Sequence, residues 1–141
     1  MLDKIFFDTN IQVYLFDLTE AKKRESSIQL LKKKIGNSRL IISTQVINEF
    51  INVTSRLIEH KVSHKQILAK LDFINNLFIV VPLRYSTSLL ALSVQEKYSF
   101  SFWDSLIIAS AIENNCNLLY REDLQHNQKI ESLIIQNPFQ N

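Results

Sequence analysis

The sequence predicts an α/β domain built on a mostly parallel sheet of four or five strands covered on both faces by helices. Three observations lead there. Short apolar runs such as Ile5-Phe6-Phe7 and Leu118-Leu119-Tyr120 alternate with longer stretches of helical period. Helical stretches outnumber strands, as crossovers between parallel strands require. Acidic residues stand where runs end: Asp8 directly after the first, and Asp123 shortly after the second.

Lys4 to Asp8 reads as the first strand and Ile11 to Phe16 as a short helix. Thr19, a residue type that caps helices, opens a longer helix that ends near Gly36, the chain's single glycine. Arg39 to Ile42 is a second strand. Ser43 or Thr44 then caps a helix to about Glu59, with Val46, Ile47, Phe50, Ile51, Val53 and Leu57 as its apolar face. Ser63 caps another, to about Asn76, striped by Ile67, Leu68, Leu71 and Ile74. Leu77 to Val81 is a strand stopped by Pro82, and Ser86 to Lys97 and Phe102 to Asn115 are helices. Asn117 to Tyr120 is a strand, and Leu133 to Gln136 is a short last one before Pro138.

At 141 residues and 46% hydrophobic, the chain suits one domain, 1–141, with a real core. No window approaches the ~18–20 apolar residues of a membrane span. The N-terminus lacks the basic start and small-residue cleavage site of a signal peptide. Cys116 is alone, so no internal disulfide forms, and a cytoplasmic location is expected. Cys116 follows Asn114 and Asn115 late in a helix with no histidine in its segment, which favours a structural thiol. A single glycine excludes a P-loop and a dinucleotide fingerprint.

Four acids occupy costly positions: Asp8, Glu49, Asp104 and Asp123. A carboxylate drawn toward a core must be paired, protonated or bound to a cation. At ~100° per residue, Asp104 shares the apolar face of Ile107, Ile108 and Ala111. The bland reading of Asp104 is a capping box with Ser101, its carboxylate reaching back to a backbone N–H. Glu49 borders an apolar stripe and reads equally as a solvated glutamate. Asp8 also fits a simple helix cap, and Asp123 a turn residue whose place as a ligand Glu122 would take. Ligands of open parallel sheets bind beyond the carboxyl ends of the strands, where all four can converge. With these four set aside, 16 basic residues stand against the 10 remaining acids. A basic surround to an acidic pocket suits a polyanion held over metal ions.

Taken together, Phe6-Phe7-Asp8-Thr9-Asn10, Gln45-Val46-Ile47-Asn48-Glu49-Phe50, Phe102-Trp103-Asp104-Ser105-Leu106-Ile107 and Glu122-Asp123-Leu124-Gln125-His126 resemble the PIN-domain ribonucleases. The resemblance is strongest to the VapC toxins of bacterial toxin–antitoxin pairs. It covers nearly the whole chain in order and spacing, and implies a three-layer α/β/α fold. It also implies a Mg²⁺- or Mn²⁺-dependent endoribonuclease whose acidic quartet is Asp8, Glu49, Asp104 and Asp123. Asp8 and Asp104 are then direct metal ligands, and Glu49 is a ligand or a water-orienting base. Asp123 holds a second metal or a water-bridged first one. Asn10 is expected to orient Asp8, and Thr9 to point into the site.

The family usually carries Ser or Thr before the last acidic pair. Here that position is Arg121, placed to contact substrate phosphate or to neutralise part of the cluster. The implied partners are an RNA substrate, a VapB-like antitoxin whose tail enters the cleft, and a second copy in a homodimer.

Zinc is disfavoured because no histidine belongs to the set; His60 and His64 are separated by a break, and His126 reads as a surface turn. A receiver domain would want paired acids after the first strand, and a haloacid-dehalogenase phosphatase would want Asp at position 10. The remaining alternative is a PIN-like module that binds protein or RNA and cuts weakly or not at all, for which Arg121 argues.

Overall fold

The computed structural model describes residues 2–56, 63–124 and 126–140. Six strands form one sheet: β1 (Asp3–Phe7), β2 (Ser38–Ser43), β3 (Ile79–Val81), β4 (Leu118–Tyr120), β5 (Gln128–Ile130) and β6 (Leu133–Gln136). Among the described residues six helices accompany them: α1 (Thr9–Tyr14), α2 (Ala21–Lys34), α3 (Thr44–Arg56), α4 (His64–Leu77), α5 (Tyr85–Tyr98) and α6 (Phe102–Glu113). The expected end of the third helix near Glu59, together with His60 and Lys61, lies outside the described residues.

The strand order is β3-β2-β1-β4-β6-β5. All neighbouring pairs are parallel except β5 with β6. The sheet is therefore mostly parallel as expected, with one more strand than the sequence suggests. β5 has a single buried residue, Ile130, so it lacks the alternation that marks a half-buried strand. Its flanking turns use Asn127 and Glu131 at φ of 64° and 56° rather than glycine, which removes the usual hairpin signal.

Ile5, Phe6 and Phe7 of β1 and Leu40, Ile41 and Ile42 of β2 are all buried, the continuous apolar run of strands covered on both faces. Helix α1 packs on both α2 and α3, α3 packs on α4, and α5 packs on α6. Helix α6 is buried from Ser105 through Ala111: Ile107, Ile108 and Ala111 join the main core, while Leu106 and Ala109 pack with Ala91 of α5.

Gly36 follows the end of α2 at φ +89°, the left-handed position that stops a helix. Thr19 does not cap that helix. Its N–H and hydroxyl both donate to Asp17 Oδ1, at 3.0 and 2.6 Å, and Glu20 takes the cap position without a side-chain bond. A local Asx turn has won over the cap. Ser63 does cap α4, in a reciprocal box with Gln66. Among the described residues, no helix is long and apolar enough to cross a membrane.

Candidate active site

The sheet reverses its winding at β1, whose neighbours are β2 on one side and β4 on the other. A crevice forms beyond the strand ends at such a point. Phe7 is paired with Tyr120, and the Asp8 N–H donates to the Tyr120 carbonyl at 3.1 Å. This register sets Asp8 beside Arg121, the residue that follows β4.

Asp8 is only 5% exposed. It occupies the N-cap position of α1 but makes no side-chain cap bond, so capping does not account for its carboxylate. Asp8 Oδ2 lies 3.2 Å from Arg121 Nη1. Arg121 Nη2 is paired in turn with Asp104 Oδ1. Asp104 enters from the first turn of α6, where Ser101 Oγ accepts the Asp104 backbone N–H at 3.1 Å. The reciprocal half of a capping box is not formed, and the carboxylate turns to Arg121 instead.

The two outer acids complete the cluster. Thr9 Oγ1 donates to Glu49 Oε2 at 3.4 Å, which brings the first turn of α1 to α3. Asn10 Nδ2 donates to Asp123 Oδ2 at 3.2 Å. Asn10 was expected to orient Asp8; it holds Asp123 instead, because the first turn of α1 faces the segment after β4. Glu122 points elsewhere, toward Tyr14 and Lys23. Of the last acidic pair, it is therefore Asp123 that faces Asn10 and the cluster.

Burial pushes the Asp8 carboxyl above its ordinary 3.8. Arg121 and the Thr9 N–H pull it down, and the charges of Asp123 and Asp104 push it up again. The Glu49 carboxyl is also raised, by burial first and then by repulsion from Asp8. Glu49 as a whole is exposed; only its carboxyl end is crowded. The acids thus feel one another, and one cation, Arg121, lies among them.

A divalent cation fits this donor set in chemistry: four carboxylates supply hard oxygens of the kind Mg²⁺ and Mn²⁺ take. The arrangement itself is closed on a guanidinium. Among the described residues, no three His, Cys, Asp or Glu side chains stand close enough to hold an ion. Arg121, 7% exposed, lies between the two inner acids, and its Nε finds no partner among the described residues.

Beside Glu49 a cleft of about 520 Å³ opens between α3 and the start of α6, lined by Gln45, Asn48, Glu49, Asn52, Leu83 and Trp103. Trp103 is 67% exposed at its rim, and Gln45 Nε2 donates to the Trp103 carbonyl at 3.2 Å. The sequence gives no sign of Tyr14 and Lys23 as supports of the site; helical spacing marks neither. His126 is a brace: its Nδ1 accepts the Asn137 N–H at 3.0 Å.

The family model of the PIN domain matches residues 5–129. The chain belongs to the PIN-domain family. No curated protein matches it. Among solved structures, this PIN domain is similar to VapBC2 from Rickettsia felis bound to a DNA fragment from their promoter, with a TM-score of 0.74 at 21% identity, covering 95% of this chain and 98% of that one. A toxin–antitoxin complex from Klebsiella pneumoniae gives 0.72 at 17% identity, covering 97% and 99%. Mycobacterium tuberculosis VapC20, a sarcin–ricin loop cleaving toxin, gives 0.68 at 18% identity, covering 84% and 89%. These likenesses bear on the fold. The PIN fold is the three-layer arrangement expected from the sequence, here with its six-stranded sheet.

Proposed function

We propose that this PIN domain is a metal-dependent endoribonuclease and the toxin of a VapBC-type pair. The observation that carries the reading is that acids from four distant segments feel one another beside the switch point of the sheet, Asp8 with Asp104 and Asp123, and Glu49 with Asp8. Family membership supports it, as does the number of toxin–antitoxin structures among the similar folds.

Asp8 and Asp104 would hold Mg²⁺ or Mn²⁺ directly, with Glu49 and Asp123 at its outer side. Such an ion supplies an activated water and stabilises charge that grows on phosphate. The chain's own residues do the rest. Thr9 donates to the Glu49 carboxylate, whose proton is held more tightly through burial and the charge of Asp8. Asn10 holds Asp123 in place. The cleft from Glu49 to Trp103 offers a path for the RNA strand, and the lysines of α2 offer positive charge to its backbone. A VapB-like antitoxin, a homodimeric assembly, a single domain over 1–141 and a cytoplasmic location belong to the same reading.

The test is RNA cleavage by the purified protein. Cleavage should require Mg²⁺ or Mn²⁺, stop with EDTA, and be absent in Asp8→Ala and Asp104→Ala proteins. A second reading, a PIN-like module that binds RNA or protein without cutting, is favoured by Arg121 closing the inner acids. A folded protein that binds RNA yet cleaves no RNA at any metal concentration would establish it.

A further inference from the structure

We propose that Arg121 is the chain's own occupant of the cation position, so that a divalent ion and the Arg121 guanidinium compete for Asp8 and Asp104. The metal in this inference rests on the nuclease reading above; the arginine rests on the structure.

Backbone pairing leaves Arg121 little choice of place. Its N–H donates to the Gln136 carbonyl at 2.9 Å, continuing the β4–β6 ladder, and the β1–β4 register puts Asp8 next to it. The side chain is buried and forks, with Nη1 on Asp8 and Nη2 paired with Asp104. A planar guanidinium satisfies two carboxylates at once, which a lysine ammonium does less well. The oxygens it occupies are the ones a metal would need. Asp8 also feels the charges of Asp104 and Asp123, so a cation placed between the carboxylates offsets repulsion among them.

The hold is also incomplete. Arg121 Nε is buried and finds no partner among the described residues, so one donor of the group is left unsatisfied. Asp104 keeps about a third of its side chain open to solvent, which gives an incoming ion access to its oxygens. Glu122, the adjacent carboxylate, is already held by Lys23 at 2.7 Å and Tyr14 at 2.7 Å. It is therefore not free to draw Arg121 away from the inner acids. An ion that takes Asp8 and Asp104 together must expel the guanidinium, and the apparent metal affinity is lowered by that exchange.

Mn²⁺ titration of the full chain by calorimetry, with no RNA present, tests this. Arg121→Gln should bind Mn²⁺ about tenfold or more tightly than the wild type, the scale of one opposite charge beside a carboxylate. Its melting temperature should also rise further on adding Mn²⁺. Lys129→Gln removes the same charge from exposed β5 and should stay within about twofold of wild type, because solvent screens it. Equal Mn²⁺ affinity in folded wild type and Arg121→Gln overturns the proposal, as does absence of Mn²⁺ binding to folded Arg121→Gln. If that variant fails to fold, Arg121→Lys decides: it should bind Mn²⁺ more tightly than wild type, and equality overturns the proposal. RNA cleavage by the wild type reports on the nuclease reading separately. Cleavage with unchanged affinity in the variant would remove the competition and leave the nuclease; no cleavage with tighter binding would do the reverse.

Discussion

Tyr14 donates its hydroxyl hydrogen to Glu122 Oε1 at 2.7 Å, joining the last residue of α1 to the turn after β4 across 108 positions of sequence. Lys23 of α2 closes on the other oxygen, Glu122 Oε2, and lies over the Tyr14 and Phe139 rings. The ammonium of Lys23 is held well above its usual range, first by Glu122 and then by Tyr14. With Glu122 anchored on this side, Asp123 is left facing Asn10 and the acidic cluster.

Tyr14→Phe should therefore cost about 1 kcal/mol of unfolding free energy, the worth of one hydrogen bond to a carboxylate at a partly exposed place. Urea titration of the metal-free protein measures it. A loss below a few tenths would mean that Lys23 alone holds the corner.

Ser101→Ala should cost about 1 kcal/mol, because Ser101 Oγ satisfies an orphan N–H at the start of α6. Asp104→Asn should leave that cap intact, since the Asp104 carboxylate plays no part in it. The same change should lower RNA cleavage by about a hundredfold or more, as loss of a group acting on the reacting centre does. Ser101→Ala with wild-type stability would show that the cap is dispensable.

The raised carboxyls predict the sign of a pH effect. Folded Asp8 and Glu49 hold their protons more tightly than the unfolded chain does. The stability they contribute is fully present below the ordinary values of 3.8 and 4.5, and is lost as pH rises through the higher folded values. The metal-free wild type should lose more stability between about pH 4.5 and 7 than an Asp8→Asn, Glu49→Gln double variant. Urea midpoints across that range settle the comparison; parallel profiles for the two proteins would contradict it.

Cys116 lies 3% exposed, and burial pushes its thiol up to about 12 against the pull of Lys4. Native protein should react with a thiol reagent about a hundredfold more slowly than protein in urea. Equal rates would place the thiol at the surface.

Much of this was legible in the sequence, and the failures have physical causes. The apolar runs of β1, β2 and β4 and the stripe of α6 mark buried elements directly, and they carried Asp8 and Asp104 to the right edge. Ile107, Ile108 and Ala111 do share the core with which Asp104's face was aligned. β5 was lost because Gln128 and Lys129 carry no apolar signal and its turns contain no glycine. Thr19 misleads because Asp17, two residues earlier, draws its N–H and hydroxyl into a local turn, and Glu20 takes the cap position. The bond from Asn10 to Asp123 is not legible, because partners across 113 residues follow from topology, not from spacing. Arg121 stands out in the sequence as a departure from a pattern, but its burial between two acids depends on the β1–β4 register, which no local signal states.

The place of β6 has a consequence for synthesis. It is the last strand in chain order, yet it lies inside the sheet, between β4 and β5. All four acids leave the ribosome before it does, whereas the carbonyl that anchors Arg121 comes only with Gln136. A chain interrupted after Ile130 would carry all four of these acids and lack the strand that steadies the ground beneath them. The nascent chain can therefore complete the setting of Arg121, and of the Asp8 and Asp104 paired with it, only after Leu133–Gln136 has been made.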